Sequence, residues 1–358
     1  MMREIQVNTA AKKYSIIIAN GLIDNDSSYG LLKDRKAVIV TDSNVFPLYG
    51  RNLLARLRGM GIDADIYVIP AGESSKSHEE LIKLYNYLSE VNISRNDFII
   101  ALGGGVTGDL AGFAASTYLR GVNLVQIPTS LLAMVDSSIG GKVAVNLPAG
   151  KNLVGSFYQP ELVLIDPSLL NTLPDRHFAD GMAEVVKYGC ISDRELFGML
   201  ENLGGREEVM EHVEEIICRC CSVKKDVVEQ DEKEKGLRMI LNFGHTFGHA
   251  IEKCFEYKTY THGEAVSIGM VFISEMSFRL GYCSKNTAER IRKLLEKLGL
   301  PVDFPGIDPD DVYNAVIRDK KAKTNSINLV LIEDIGRVRT EAFSKNRIGG
   351  LINEMLGH

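Results

Sequence analysis

The chain predicts an α/β domain built on a parallel sheet, followed by an all-helical domain. Over residues 1 to about 170, short β-branched runs alternate with helix-period segments, the pattern of strands joined by helical crossovers. After Pro174 nearly every segment has the 3.6-residue period of an amphipathic helix. At 358 residues the chain is long for one ordinary core, so two domains, 1–174 and 175–358, are expected.

The elements follow in order. Met1 to Val7 reads as an early strand, Ala37 to Thr41 as a buried one, and 44–60 as a helix. Asp65 to Ile69 is a strand, and Ser77 to Leu88 a helix with Ser77 as N-cap and Glu80 at the capping-box position. Phe98 to Leu102, Asn123 to Ile127 and Leu162 to Ile165 complete the strand series. Helices are predicted over 176–189, 194–202, 207–229, 244–255, 264–280, 285–298 and 308–317, with one late strand at 327–332 that could belong to a hairpin.

Composition narrows the function. With 45% apolar and 25% charged residues the chain is a folded globular type, and a net charge of -6 argues against nucleic acid as its main partner. There is no apolar run of transmembrane length and no apolar stretch after the N-terminus of the kind a signal peptide has. A cytoplasmic location with no membrane partner is therefore expected. The six cysteines form no Cys-x-x-Cys pair, and reduced structural thiols fit that compartment better than a metal knuckle or disulfides.

Three stretches carry chemistry. Gly103-x-Gly105-x-x-Gly108 follows a predicted strand and opens a predicted helix, the setting in which glycines let a backbone approach a pyrophosphate at a helix N-terminus. The acidic residue of an ordinary fingerprint is missing about 20 positions on, where the chain reads Ile127-Pro128-Thr129-Ser130; Asp42, ending an earlier strand, could meet the ribose instead. A purely structural turn is the alternative. His245 and His249 lie four apart, on one helix face, and could hold a metal or be hydrogen-bonded core residues. Gly244 and Gly248 beside them cost helix stability and so mark a close approach by a cofactor, a backbone or a neighbouring helix; room for a ligand on that face is the expectation. Glu184 and Lys187 share a face, a spacing that by itself is usually a surface ion pair, and His262 precedes Gly263-Glu264. Lys142 and Lys151 adjoin glycine turns, as anion sites often do, while the charged run 231–235 reads as a solvated loop. One carboxylate with two or three imidazoles suits a catalytic metal site, which needs three protein ligands and an open position.

Six segments together resemble the 3-dehydroquinate synthase family: 70–76, 103–109, 127–142, 183–189, 241–251 and 262–266. The resemblance covers almost the whole chain and implies an N-terminal Rossmann-like domain and a C-terminal helical domain, paired as a homodimer with Arg120 reaching the partner's site. It implies a divalent metal, Zn2+ or Co2+, on Glu184, His245 and His262. It implies an NAD site drawing on Asp42, Glu73, Ser74, Ser75, Lys76, Gly104, Gly105, Val106, Thr107, Gly108, Asp109, Thr129, Ser130, Lys142, Lys151, Leu169, Leu170, Asn171 and Thr172. Substrate groups would be met by Asp136, Lys142, Asn152, Lys187, Lys224, Arg238, Asn242, His249 and one of Lys320 and Lys321. Ser130 stands where a second Thr is common, and Phe243 replaces a smaller aliphatic residue.

The substrate so implied is an anionic sugar phosphate, 3-deoxy-D-arabino-heptulosonate 7-phosphate. It would be converted to 3-dehydroquinate and phosphate by transient NAD-dependent oxidation at C5, β-elimination of phosphate, re-reduction and intramolecular aldol closure, the second step of the shikimate route to aromatic amino acids. Two other enzymes share parts of this pattern: a sugar phosphate cyclase of the inosose or valiolone type, and a metal-dependent polyol dehydrogenase. Arg238, Asn242 and His249 together favour the carboxylated substrate.

Overall fold

The computed structural model describes residues 2–319 and 325–357. Two compact units are present, one comprising Met1–Pro174 with Lys224–Glu232, the other Asp175–Val223 with Lys233–His358.

The first unit contains β1 (Arg3–Asn8), β2 (Lys13–Ile18), β3 (Lys36–Asp42), α1 (Arg51–Gly59), β4 (Asp63–Ile69), α2 (His78–Glu90), β5 (Phe98–Gly103), α3 (Gly105–Thr117), β6 (Asn123–Pro128), β7 (Lys142–Leu147), β8 (Gly150–Phe157) and β9 (Leu162–Ile165). Seven strands form one sheet in the order β1-β2-β9-β6-β5-β3-β4. From β2 to β4 all pairings are parallel; β1 adds an antiparallel edge. Strand β3 crosses over to β4 on one side and β5 crosses over to β6 on the other, so β3 and β5 flank a topological switch point. In open α/β sheets ligands sit beyond the strand C-termini at such a point. Strands β3 and β5 are buried almost throughout, as expected for strands covered on both faces.

Local chemistry explains where the elements depart from expectation. The 44–60 helix begins as a wide π-type turn over Phe46–Gly50 and becomes α-helical only at Arg51; Pro47 sits in the first turn, where no amide is needed for the ladder. Ser77 caps α2 by accepting from the Glu80 amide. The Glu80 carboxylate does not close the box but takes the Tyr67 hydroxyl at 2.8 Å and Lys83 at 3.0 Å. The β7–β8 hairpin was not expected, since its lysines and glycines read as turns.

The second unit contains α4 (Asp175–Ile191), α5 (Arg194–Asn202), α6 (Arg206–Glu211), α7 (Val213–Gln230), α8 (His245–Cys254), α9 (His262–Arg279), α10 (Lys285–Lys297), α11 (Pro309–Asp319), β10 (Ser326–Asp334), β11 (Arg337–Ser344) and α12 (Lys345–Leu356); the last part of α7, from Lys224, is counted with the first unit. The single helix expected over 207–229 is interrupted at His212. The late strand is one arm of the antiparallel β10–β11 hairpin. Among the described residues no helix is long and apolar enough to cross a membrane.

Helix α9 is set by its start. Thr261 and Glu264 form a capping box, and Arg176 of α4 grips the Glu264 carboxylate at 2.7 and 2.8 Å. Next to the cap, backbone meets backbone. A Cβ on Gly263 would stand 2.0 Å from the Asp180 carbonyl oxygen of α4, and one on Gly269 would stand 2.1 Å from the Gly244 carbonyl oxygen. Gly244, at φ 80, would put a Cβ 2.5 Å from Met270, and Gly248 would put one 3.1 Å from the Ala265 carbonyl. The space that Gly244 and Gly248 leave is therefore taken by helix α9, which corrects the expectation of ligand room on that face.

Gly269→Ala should destabilise the protein by about 3 kcal/mol or more, since overpacking against backbone cannot be relieved by a rotamer. Gly198→Ala, inside α5 with nothing within 4 Å of the added atom, should stabilise by about 0.5–1 kcal/mol through helix propensity. Urea unfolding of the two variants checks the contrast; equal shifts would refute the interlock.

Candidate functional site

The predicted residues fall into two groups. In the first unit, the segments singled out for nucleotide binding, apart from Lys142 and Lys151 on the β7–β8 hairpin, follow the C-terminal ends of parallel strands. Asp42 ends β3, Glu73 to Lys76 follow β4, Gly104 to Asp109 follow β5, Thr129 and Ser130 follow β6, and Leu169 to Thr172 follow β9. The sheet order makes these neighbours, with Thr41 beside Leu102 in register. Gly104 caps α3 without a side-chain hydrogen bond, which leaves the first-turn amides available to an anion. Gly103 and Gly108 serve packing, since Cβ atoms there would lie 2.5 Å from Thr107 and 3.0 Å from Gln126. Asp42 accepts the Asn44 and Val45 amides through one oxygen, at 2.8 and 3.1 Å, and the Thr107 hydroxyl through the other at 3.4 Å. Ser74 and Asn171 are exposed, Leu169 and Leu170 are buried, and the Thr172 hydroxyl lies 2.6 Å from the Tyr49 hydroxyl.

A polar network centred on the buried Lys76 ties this end of the sheet to the hairpin. Lys76 is ion-paired with Asp109 and donates to the Asn152 side chain. Burial pushes the Asp109 carboxyl up from its ordinary range against the pull of Lys76. Asn146, which sequence reasoning missed, donates to Glu73 at 2.6 Å through its side chain, accepts the Asn152 amide at 2.9 Å, and donates its own amide to the Lys76 carbonyl at 2.8 Å. Only the contact of the β7–β8 hairpin with the distant Glu73–Lys76 loop exposes that role. Lys224 lies 2.9 Å from the Asp136 carboxylate and donates to the Asp136 carbonyl at 2.6 Å. Lys142 is exposed at the start of β7, Lys151 is half-buried on β8, and Arg120 is exposed in a turn with positive φ at Leu119, Arg120 and Gly121.

The second group lies wholly in the second unit. Glu184 of α4, His245 at the start of α8 and His262 at the start of α9 offer ligand atoms that all lie within 4.8 Å of one another. Both imidazoles turn Nε2 toward Glu184 Oε1, each at 3.4 Å, while Lys187 holds Oε2 at 2.5 Å. The Glu184–Lys187 pair is 1% exposed on both sides, so it is an interior pair and not the surface bridge its spacing favours. Burial pushes His245 down to about 3, which keeps it neutral, the form that ligates metals. At His262 desolvation also opposes charge, but the facing Glu184 and Glu252 carboxylates outweigh it and raise the ring well above its ordinary value. A cluster that attracts a proton so strongly also suits a cation that would replace it. A donor set of one carboxylate and two imidazoles is that of a catalytic zinc-type site.

Around this cluster, the His249 ring lies 5.5 Å from His245 and 5.9 Å from His262. Arg238 is 1% exposed, and Asn242 donates to Glu234 at 3.0 Å. The run 231–235 is structured, not merely solvated: Glu232 takes Gln159 at 2.9 Å within the first unit, and Glu234 takes Asn242 within the second. Glu252, 3% exposed, was also missed; its place seven residues after His245, on one helix face, was the available signal. Lys320 and Lys321 lie outside the described residues.

Sheet, glycine turn and Glu–His–His cluster define a class of two-part proteins that pair a dinucleotide-type turn with a metal-type donor set. Solved structures of that class match over the chain's length. One is 2-deoxy-scyllo-inosose synthase complexed with carbaglucose-6-phosphate, NAD+ and Co2+ (TM-score 0.87, 28% identity, 99% of this chain and 100% of that one). Another is 2-epi-5-epi-valiolone synthase from Streptomyces hygroscopicus subsp. jinggangensis with NAD+ and Zn2+ bound (TM-score 0.87, 30% identity, 96% of each chain). Glycerol dehydrogenase from Schizosaccharomyces pombe shares the fold at 16% identity (TM-score 0.65, 95% of this chain and 88% of that one). The N-terminal 3-dehydroquinate synthase profile matches residues 66–180 and the C-terminal one residues 181–322. The 3-dehydroquinate synthase of Clostridium beijerinckii is 50% identical over 337 residues, 94% of this chain and 96% of its own, and that of Clostridium kluyveri is 47% identical over 340 residues, 94% of each. The chain belongs to the 3-dehydroquinate synthase family.

Lys76→Met should cost about 3–5 kcal/mol, the penalty for stranding a buried charge, while Lys76→Met with Asp109→Leu should recover much of it. Denaturant unfolding of the single and double variants measures the coupling; purely additive losses would show that the pair is not a unit.

Proposed function

We propose that this protein is a 3-dehydroquinate synthase that converts 3-deoxy-D-arabino-heptulosonate 7-phosphate to 3-dehydroquinate and phosphate, using NAD and a divalent ion. The observation that carries the reading is the Glu184–His245–His262 cluster, built on a fully buried Glu184, in a chain about 50% identical to synthases of that name over 94% of its length. The NAD+ and Co2+ or Zn2+ of the related cyclases support the same cofactors here.

Glu184, His245 and His262 would hold the ion; when bound, the ion would make a hydroxyl more acidic and NAD would take and return a hydride. The chain's own groups do the rest. Lys187 fixes the second oxygen of Glu184 and so orients the first toward the imidazoles. Asp42, the Glu73–Lys76 loop, the Gly104–Asp109 turn, Thr129, Ser130, Lys142, Lys151 and the Leu169–Thr172 turn are assigned to NAD. Substrate contacts are assigned to Asp136, Lys142, Asn152, Lys187, Lys224, Arg238, Asn242 and His249. These cations suit a ligand bearing both a carboxylate and a phosphate, because charge-assisted hydrogen bonds are the strong ones. Positioning of one flexible substrate by many fixed donors supplies the orientation that elimination and ring closure need. The soluble homodimer of the family, with Arg120 near the partner's site, and a cytoplasmic location belong to the same proposal.

Metal-loaded enzyme should release phosphate from the heptulosonate phosphate without build-up of absorbance at the NADH band. Steady NADH accumulation would instead mark a dehydrogenase. His245→Ala should abolish metal retention in elemental analysis, whereas His249→Ala should keep the ion and lower turnover. Equal metal loss in both would place His249 among the ligands.

A further inference from the structure

The two imidazoles that face Glu184 are mounted alike. His245 presents Nε2 to Glu184 and sets Nδ1 3.1 Å from the carbonyl oxygen of Phe243, two residues upstream. His262 presents Nε2 to the same oxygen, and its Nδ1 lies 3.6 Å from Glu252 Oε2. Each residue opens a helix. The turn before His262 is taken up by the Thr261–Glu264 capping box, so its acceptor comes from the neighbouring helix. Glu252 is buried within α8, seven residues after His245, and none of the assigned roles uses it.

We propose that Glu252 is a positioning residue for His262, accepting the Nδ1 proton so that the ring offers Nε2 and cannot turn. This inference rests on the reading of Glu184, His245 and His262 as the ligand set. A carboxylate partner also makes the imidazole a stronger donor, as in carboxylate–histidine–metal relays. The part played for His245 by a backbone carbonyl is thus played for His262 by a side chain, and one helix supplies both a ligand and the fixture for a ligand on the next. His262 needs such a fixture more, since its side chain is 33% exposed against 12% for His245.

The test uses full-length metal-free protein titrated with Co2+, read by the ligand-field spectrum and by chelator competition. Wild type should bind one ion per chain. Glu252→Ala should bind it roughly 10- to 100-fold more weakly, with the far-ultraviolet circular dichroism of the metal-free protein unchanged. Glu252→Gln, which keeps shape and an acceptor oxygen, should fall between the two. Should the alanine variant not fold, the glutamine variant decides, and wild-type affinity there overturns the proposal. Wild-type affinity in both variants would overturn it while leaving the ligand set standing; no Co2+ uptake by wild type would remove the ligand set itself. Two ions per wild-type chain with one lost in Glu252→Ala would make His249, Glu252 and His262 a second cation site, and would also overturn it.

Discussion

The metal-type cluster depends on one steric allowance: helix α9 comes so near α8 and α4 that backbone atoms touch where side chains would ordinarily stand. Gly263 against Asp180 and Gly269 against Gly244 are the tightest of these contacts, with room for no Cβ at either. A glycine inside a helix costs about 1 kcal/mol relative to alanine. Dense backbone packing offsets that cost. It also sets how near the first residues of α8 and α9 can come to the middle of α4. His245, His262 and Glu184 occupy those places.

Electrostatics then adds a second constraint. Glu184 and Lys187 are buried together one helical turn apart, an arrangement that seldom maximises stability, because desolvating two charges costs about as much as their attraction returns. Lys187 leaves one carboxylate oxygen directed at two imidazoles, a geometry that fits the proposed ligand set better than a stabilising role. The same logic holds in the first unit, where the buried Lys76 pairs with the largely covered Asp109 at the glycine turn and is tied through Asn152 and Asn146 to Glu73. Local rules are broken at these two places, as they commonly are at sites that serve chemistry.

Much of this was legible beforehand. The strand and helix series, the glycine turn, and Asp42 as the acid beside it all follow from local pattern, and the switch point between β3 and β5 explains why the acid comes before the glycines in sequence. What local pattern missed has a common cause. The β7–β8 hairpin depends on pairing across the turn at 148–149, and the role of Asn146 on contact with the distant Glu73–Lys76 loop. Glu252 has a meaning only once His262 is known to lie over α8. The Glu184–Lys187 spacing is the same on a surface and in a core, so spacing alone favoured the wrong environment. Gly244 and Gly248 were correctly read as marking a close approach, but which object approaches is a tertiary fact.

By itself the sequence determined the two-part α/β and helical plan, the position of the nucleotide-type turn at a strand–helix junction, and, through six matched segments, the family. Those are properties of short windows, where side-chain period, capping and turn chemistry act within a few residues. Only the tertiary structure decided that Glu184 is interior, that Nε2 of both His245 and His262 meets its single oxygen, and that a neighbouring helix fills the space beside the histidine motif. The physical reason is that burial and ligand geometry are set by which backbones can touch, and residues 184, 245 and 262 come together only through helix packing.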